Sequence, residues 1–463
     1  MSIVIVTAAL VAEATGGRIV AGSATTVFDG VSTDTRASAP GTLFVALRGE
    51  RFDAHAFLMQ ALSGGATGLL VETPPADAAG ATVIVVPDTL RALQALARTI
   101  RRASGARVVA ITGSAGKTTT KEVTANLLEA RYRVYRNRGN LNNHIGLPLS
   151  LIELRHGPDI AVVELGMNHA GEIRTLVEIA EPDVRVWTNV GDAHIGHFGS
   201  REAVADAKAE ILERATADTV VVANADDPLV MAHVSRARVR RLTFGESAPA
   251  NVRATGVVDR GFDGVAADVS TPVGPLHLNV PLPGRAHLSN VLAAVTVAVD
   301  LHVDRQAIED RVAALAPVAR RGASTRLVNG ARVVDDSYNA SPAATMAALR
   351  ALAATPAAGR RIAVLGDMLE LGDSSRELHR ACGRAAADAG VDVLVAIGGD
   401  DADALAAGAR EGGLAGDRIH RFTDSRQAAD AIAVLIAPGD LVLVKGSRGT
   451  RTDLVVDRLK EVA

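Results

Sequence analysis

The sequence predicts an α/β fold in three domains, and three observations carry that expectation. The chain has 463 residues, more than one hydrophobic core serves, so several domains are required. Apolar runs of strand length alternate with stripes of helical period through most of it. Near residue 317 the pattern begins again, with strand candidates that end in polar residues or glycine. The domains are set at 1–86, 87–316 and 317–463. Aromatic residues are 3% of the chain, so the cores must rest on Ala, Val and Leu, and stacking platforms for single-stranded nucleic acid are not to be expected. A net charge of -3, from 49 basic and 52 acidic residues, leaves no basic field for a phosphate backbone. The one cysteine, Cys382, excludes an intrachain disulfide and a thiolate-rich zinc site.

In the first domain, residues 42–47 and 68–71 are apolar runs with a helix-like segment, 55–62, between them, which reads as a small α/β unit. Residues 74–80 read as loop. From Thr89 to Arg102 the apolar positions 90, 93, 96, 97 and 100 make a helical stripe that opens the second domain. Its strands are expected at 107–112, 160–164, 184–189 and 219–224, separated by turns and helices, which gives a mostly parallel sheet. Residues 251–281 alternate and are rich in Gly and Pro, so an antiparallel patch is expected there, followed by a helix at about 287–300. In the third domain, strands at 333–336, 362–365, 393–397 and 441–444 alternate with Ala-rich helices, a Rossmann-like pattern. Their tips, Asp336-Ser337-Tyr338-Asn339, Gly366-Asp367, Gly398-Gly399 and Lys445-Gly446-Ser447-Arg448, belong on one ligand-binding rim. The N-terminal stretch has no basic n-region and breaks at Gly16-Gly17, and no run is long enough to cross a bilayer. The expected location is the cytoplasm, without membrane insertion.

The most specific signal is Thr112-Gly113-Ser114-Ala115-Gly116-Lys117-Thr118-Thr119, between an apolar strand and a helical stripe. Gly113 and Gly116 let the backbone curl so that its N–H groups face phosphate oxygens at a helix N-terminus. Lys117 supplies charge to the terminal phosphates of ATP, and the Thr118 hydroxyl can ligate Mg²⁺. The first Gly is three residues before the second, and Ile111 stands where the longer P-loop has its Gly, which points away from GTPases and motor ATPases. Glu164 closes an apolar strand and is a second candidate Mg²⁺ anchor; an acid at a strand end can also be merely solvated. His194 could bind a metal, contact phosphate or be structural. Lys208 borders the buried stripe of a helix expected at 200–214. It either snorkels to water or becomes a carbamate that ligates a second Mg²⁺.

These residues resemble the Mur ligase family, amide-bond-forming enzymes of bacterial cell-wall synthesis, over nearly the whole chain. The short P-loop, Val163-Glu164-Leu165-Gly166, His194 and Lys208 are similar to the family's ATP and metal motifs. Val31 to Arg36 and Leu43 to His55 look like its nucleotide-sugar domain. Gly139 to Pro148, Asp335 to Pro342, Gly366 to Gly372 and Val444 to Arg448 resemble further motifs. Two departures stand out: His287 replaces an Asn of the adenine-contacting segment, and Ala319-Arg320-Arg321 replaces the usual Pro-Gly-Arg.

The resemblance implies a UDP-binding first domain and an ATP-dependent ligase. Such a ligase adds D-alanyl-D-alanine to UDP-N-acetylmuramoyl-tripeptide through an acyl phosphate. Other ligases of the family, tripeptide-forming or folylpolyglutamate-forming, share the chemistry, and a P-loop small-molecule kinase would share the phosphate site. It places ATP on residues 112–119, Asn290 and Arg321, and two Mg²⁺ on Thr118, Glu164, His194 and a carbamylated Lys208. Lys117, Glu164, His194 and Lys208 are the implied catalytic set. Ser32, Asp34, Thr35 and Arg36 would meet the uridine or its phosphates, with a surface ion pair as the plainer role of Asp34 and Arg36. Asn140, Asn142 and Asn143 would meet peptide or sugar, or cap turns. Asp336, Asn339, Lys445 and Arg448 would meet the peptide substrates. A monomer is expected.

Overall fold

The computed structural model describes residues 3–49 and 52–462, so Glu50 and Arg51 of the N-terminal motif lie outside the described residues. The chain forms two compact units: Met1–Thr112 with Arg131–Val186 and Glu210–Val220, and Gly113–Ala130 with Trp187–Ala209 and Val221–Ala463.

The first unit begins with a helix, Ala8–Thr15, capped by the Thr7 hydroxyl. A five-stranded sheet follows, of β1 (Arg18–Ala21), β2 (Gly30–Ser32), β3 (Thr42–Val45), β4 (Ala66–Val71) and β5 (Thr82–Val85), in the order β1-β5-β4-β3-β2. β2 to β5 are parallel and β1 is antiparallel to β5. The apolar runs are the buried strands: Leu43, Phe44, Leu69 and Leu70 have no exposed surface. The helix Thr89–Ser104 is capped by Asp88 and stopped by Gly105, and it buries Leu93, Leu96, Ala97 and Ile100. β6 (Arg107–Thr112), β7 (Val134–Arg136) and β8 (Ile160–Glu164) then run parallel in the order β6-β8-β7. Next comes β9 (Val184–Trp187), whose last residue belongs to the second unit, as does β10 (Val220–Asn224) after its first residue.

In the second unit the helix Lys117–Leu128 carries the phosphate turn, and the helix Gly284–Asp300 packs against it. Twelve of the latter's residues are buried, which explains an apolar sequence with no polar stripe. β11 (Arg240–Gly245), β12 (Val252–Asp259), β13 (Val265–Ser270) and β14 (Leu276–Val280) lie side by side, the last three antiparallel as the alternation predicts. β15 (Ala323–Arg326), β16 (Arg332–Asp336), β17 (Arg361–Gly366), β18 (Val393–Ile397), β19 (Ile419–Phe422) and β20 (Leu441–Lys445) form a six-stranded sheet in the order β15-β16-β20-β17-β18-β19. Only β15 is antiparallel to its neighbour. The carboxyl ends of β16, β20, β17 and β18 therefore bring Asp336, Lys445, Gly366 and Ile397 to one edge.

The helix expected at 200–214 ends early. It spans Arg201–Ala209 and tightens into a 3₁₀ turn at Glu210–Leu212. The buried Glu210 carboxylate accepts N–H bonds from Gly171 (2.6 Å) and Arg174 (3.0 Å) at the start of the helix Glu172–Ala180, which has no side-chain cap of its own. A carboxylate there satisfies orphan donors at the positive end of the helix dipole.

Candidate active site

In the second unit the phosphate turn is built on two glycines with no room for a side chain. Gly113 has φ 151°, and a Cβ there would lie 1.9 Å from Thr188 Oγ1; Gly116 has φ 80°, and its Cβ would lie 2.1 Å from Asn290 Oδ1. The turn is held by the segment after β9. Asn189 accepts from Ser114 N through its carbonyl (3.0 Å) and from Ala115 N through Oδ1 (2.9 Å). Thr188 Oγ1 donates to the Ala115 carbonyl (2.8 Å), and Gly191 N donates to Ser114 Oγ (2.9 Å). Lys117 Nζ donates to the Gly113 carbonyl (2.8 Å). Asn290, expected on the adenine, here accepts from Thr120 Oγ1 (3.3 Å) and supports the turn from the helix Gly284–Asp300. Arg321 reaches the turn as well: Nη2 donates to Thr118 Oγ1 (3.2 Å), and its guanidinium lies 4.1 Å above the Tyr338 ring. The aromatic face holds that cation in place.

His194 and Lys208 belong to the same unit. His194 has φ 65°, rare for a residue with a side chain. Its Nδ1 is 2.6 Å from Glu370 Oε2, although the carboxylate lies off the ring N–H direction and makes no finished hydrogen bond. Burial pushes the imidazole below its ordinary range; Glu370 opposes this, and the charges of Lys117 and Lys208 add to it. A neutral imidazole is the form that binds metal, and burial favours it. Lys208 is 1% exposed, so it does not snorkel. At the rim, Lys445 Nζ, 3% exposed as a residue, donates to Asp336 Oδ2 (2.7 Å) and the Asn339 carbonyl (3.0 Å). Arg448 is exposed at the start of the next turn. His287 donates from Nδ1 to the Pro283 carbonyl (2.7 Å), and burial lowers its pKa.

In the first unit, Glu164 ends β8 and is 3% exposed. Asn142 Nδ2 donates to its Oε1 (2.8 Å), and Asn137 Oδ1 accepts its backbone N–H (3.1 Å). Gly166 permits this: a Cβ there would come within 2.9 Å of the Asn142 amide. Thr112 Oγ1 donates to the Leu165 carbonyl (3.1 Å). Asn143 Oδ1 accepts from Ile145 and Gly146 N (3.2 and 2.8 Å) at the start of a short helix, and Asn140 is exposed in the same loop. Ser32, Asp34, Thr35 and Arg36 form one turn: Asp34 caps Thr35–Ala37, and Arg36 grips its carboxylate through Nε and Nη2. That bond holds the Asp34 carboxyl down to about 2. Sequence reasoning gave no role to Thr188, Asn189, Tyr338, Asn137 or Glu370; the polar pair directly after an apolar strand was the available signal for the first two.

Among the described residues no three His, Cys, Asp or Glu side chains form a metal-binding group. The expected donors are of another make: one carboxylate, one neutral imidazole, a hydroxyl and a modified lysine. By type, a carboxylate oriented by an amide, as Glu164 is in the first unit, and an imidazole, as His194 offers in the second, are ligands a divalent ion takes.

The family model described as Mur ligase middle domain matches residues 111–298, and that described as Mur ligase, glutamate ligase domain, matches residues 320–448. The chain belongs to the Mur ligase family. As a Mur ligase it is an ATP-dependent, amide-forming ligase of peptidoglycan precursor synthesis. It is 38% identical to the UDP-N-acetylmuramoyl-tripeptide–D-alanyl-D-alanine ligase of Escherichia coli (strain K12), over 94% of each chain. Among Mur ligases of known structure, it is similar to MurF from Acinetobacter baumannii, with a TM-score of 0.90 and 32% identity over the full length of both chains. MurF ligase from Thermotoga maritima in complex with ADP gives a TM-score of 0.82 at 30% identity, over 93% of this chain and 97% of that one.

Proposed function

We propose that this Mur ligase joins D-alanyl-D-alanine to UDP-N-acetylmuramoyl-tripeptide. The observation that carries this reading is the 38% identity to a ligase of that name over 94% of both chains, which includes the N-terminal region beyond the two family models. In this reading the N–H groups of the turn at 113–116 and the first turn of the helix Lys117–Leu128 receive the ATP phosphates. Lys117 leaves the Gly113 carbonyl to neutralise the γ-phosphate, and Arg321, stacked on Tyr338, adds a second positive charge beside Thr118. The terminal carboxylate of the tripeptide attacks the γ-phosphorus and ADP departs. The amine of the dipeptide then attacks the acyl carbon, phosphate departs, and one proton is released. The protein's contribution is alignment and charge neutralisation. Thr118, His194 and a carbamylated Lys208 in the second unit, and Glu164 in the first, would serve as Mg²⁺ ligands, and Mg²⁺ would supply positive charge that offsets the charge of the phosphoryl oxygens. The turn at 32–36 would take the uridine diphosphate. Lys445, anchored on Asp336, and the exposed Arg448 would meet substrate carboxylates.

The test is phosphate release from ATP with UDP-N-acetylmuramoyl-tripeptide, with and without D-alanyl-D-alanine, together with the mass of the product. Release that requires both substrates, and a product heavier by one dipeptide less water, supports the reading. Turnover indifferent to the dipeptide ends it.

A further inference from the structure

The segment after β9 is fastened to the loop after β17 at four points, all within the second unit. Ile195 packs on the core that holds Met368 and Leu371. Gly196 N donates to the Glu370 carbonyl (3.1 Å). The two backbones meet at Gly196 and Gly372, where a Cβ on Gly196 would lie 2.6 Å from Gly372 N and 2.9 Å from the Glu370 oxygen. The fourth point is the Glu370 carboxylate, 2.6 Å from His194 Nδ1. His194 takes its left-handed conformation at the root of this contact, so the loop from the glutamate ligase domain fixes both the backbone and the ring of a residue in the middle domain.

We propose that Glu370 is the positioning residue of His194: its carboxylate keeps the proton on Nδ1 and so leaves Nε2 as the ligating nitrogen. In a neutral imidazole only one nitrogen carries hydrogen, and a carboxylate beside Nδ1 selects that tautomer, fixes the ring plane and raises the basicity of Nε2. The off-axis contact is close enough to do this after a small rotation of the ring. Because Glu370 arrives on a loop of the third domain, seating that loop completes a metal ligand of the second. The inference rests on the metal reading of His194.

The experiment measures Mn²⁺ binding to the full chain with ADP by electron paramagnetic resonance, comparing the parent with Glu370→Ala, Glu370→Gln, His194→Ala and the double variant Glu370→Ala/His194→Ala. Mn²⁺ affinity is expected to fall about tenfold in His194→Ala and in Glu370→Ala, the usual range for a ligand's supporting carboxylate. The double variant should be no weaker than His194→Ala, because one residue acts through the other. Glu370→Gln should keep most of the affinity, since its amide oxygen still accepts from Nδ1–H. The Glu370 side chain is 49% exposed, so the melting temperature should not move. Parental affinity in Glu370→Ala beside a weakened His194→Ala overturns the positioning role, as does additive weakening in the double variant. Parental affinity in His194→Ala overturns the metal reading of that residue and this inference with it, while leaving the ligase assay above untouched.

Discussion

Asn142 and Glu164 show how one contact changes the role read for a side chain. An amide in a loop of three Asn residues suggests a substrate contact; in the structure it donates at 2.8 Å to the carboxylate that ends β8. If Glu164 ligates Mg²⁺ as proposed, Asn142→Ala is expected to lower kcat about 10- to 100-fold, the range for groups that orient a metal ligand, and to raise the Mg²⁺ concentration for half-maximal rate. A change in the Km of the tripeptide alone would return Asn142 to substrate binding. Cys382 makes the opposite case. It has no exposed surface, and burial pushes its thiol up to about 12. At pH 8 it should resist iodoacetamide for as long as the chain is folded and react fully in denaturant; labelling of the native chain within minutes would contradict its packing. The placement of Lys117 and Thr118 at the start of a helix and of Glu164 at the end of β8 was legible, because a Gly-rich turn and an apolar run mark those positions. The partnership of His194 with Glu370 was not, because it joins segments far apart in sequence that only the fold brings together.

At the scale of elements, buried strands were legible where each residue is apolar. β6, β8 and β18 run over the residues their apolar stretches predict. Edge or half-exposed strands such as β1, β11 and β19 escaped, because Arg18, Arg240, Arg241, His420 and Arg421 interrupt the pattern and pairing with distant strands decides their conformation. The phosphate turn combines both kinds of information. Its glycines are visible in the sequence, whereas the neighbours that forbid anything larger are not. Gly116→Ala would place a methyl group against Asn290 at a φ of 80°, so the turn must shift. ADP affinity measured by calorimetry should fall about 10- to 100-fold, the equivalent of 1–3 kcal/mol of strain, and unchanged affinity would show that the turn relaxes freely. The helix Thr89–Ser104 gives a pH-dependent case. Arg98 and Arg102 both bond Glu181, and Arg102 first, then Arg98, hold its carboxyl down to about 2 against burial, from 4.5. A depressed carboxylate contributes stability that is complete above 4.5 and lost as pH falls through about 2. Glu181→Gln should therefore lower Tm at pH 7 by about 2 °C, the effect of roughly 1 kcal/mol or less, and the gap should shrink from pH 4.5 downward. A gap that stays constant to pH 3 would separate Glu181 from this linkage.

The whole chain has a net charge of -3, yet the proposed substrates are a nucleoside triphosphate and a nucleotide-linked peptide, both anions. Long-range attraction is not available, so recognition must rest on local donors: the backbone turn at 113–116, the buried cation Lys445, and arginines fixed by neighbours, as Arg321 is by Tyr338. These donors are divided between the two compact units. Residues 113–119, Asn290 and Arg321 belong to one, and the turn at 32–36 to the other. Hydrogen exchange can read the division directly, since a ligand that binds only the folded chain suppresses local opening where it binds. ADP with Mg²⁺ is expected to slow exchange at 113–119, at the start of the helix Gly284–Asp300 and at 318–321. UDP is expected to slow it at 30–36 and to leave the phosphate turn unchanged. At a ligand concentration 100-fold above Kd the added protection would approach about 2.7 kcal/mol at the contact residues. If UDP instead protects 113–119 and leaves 30–36 as it was, the N-terminal turn loses its nucleotide role, and Asp34 and Arg36 are a surface ion pair.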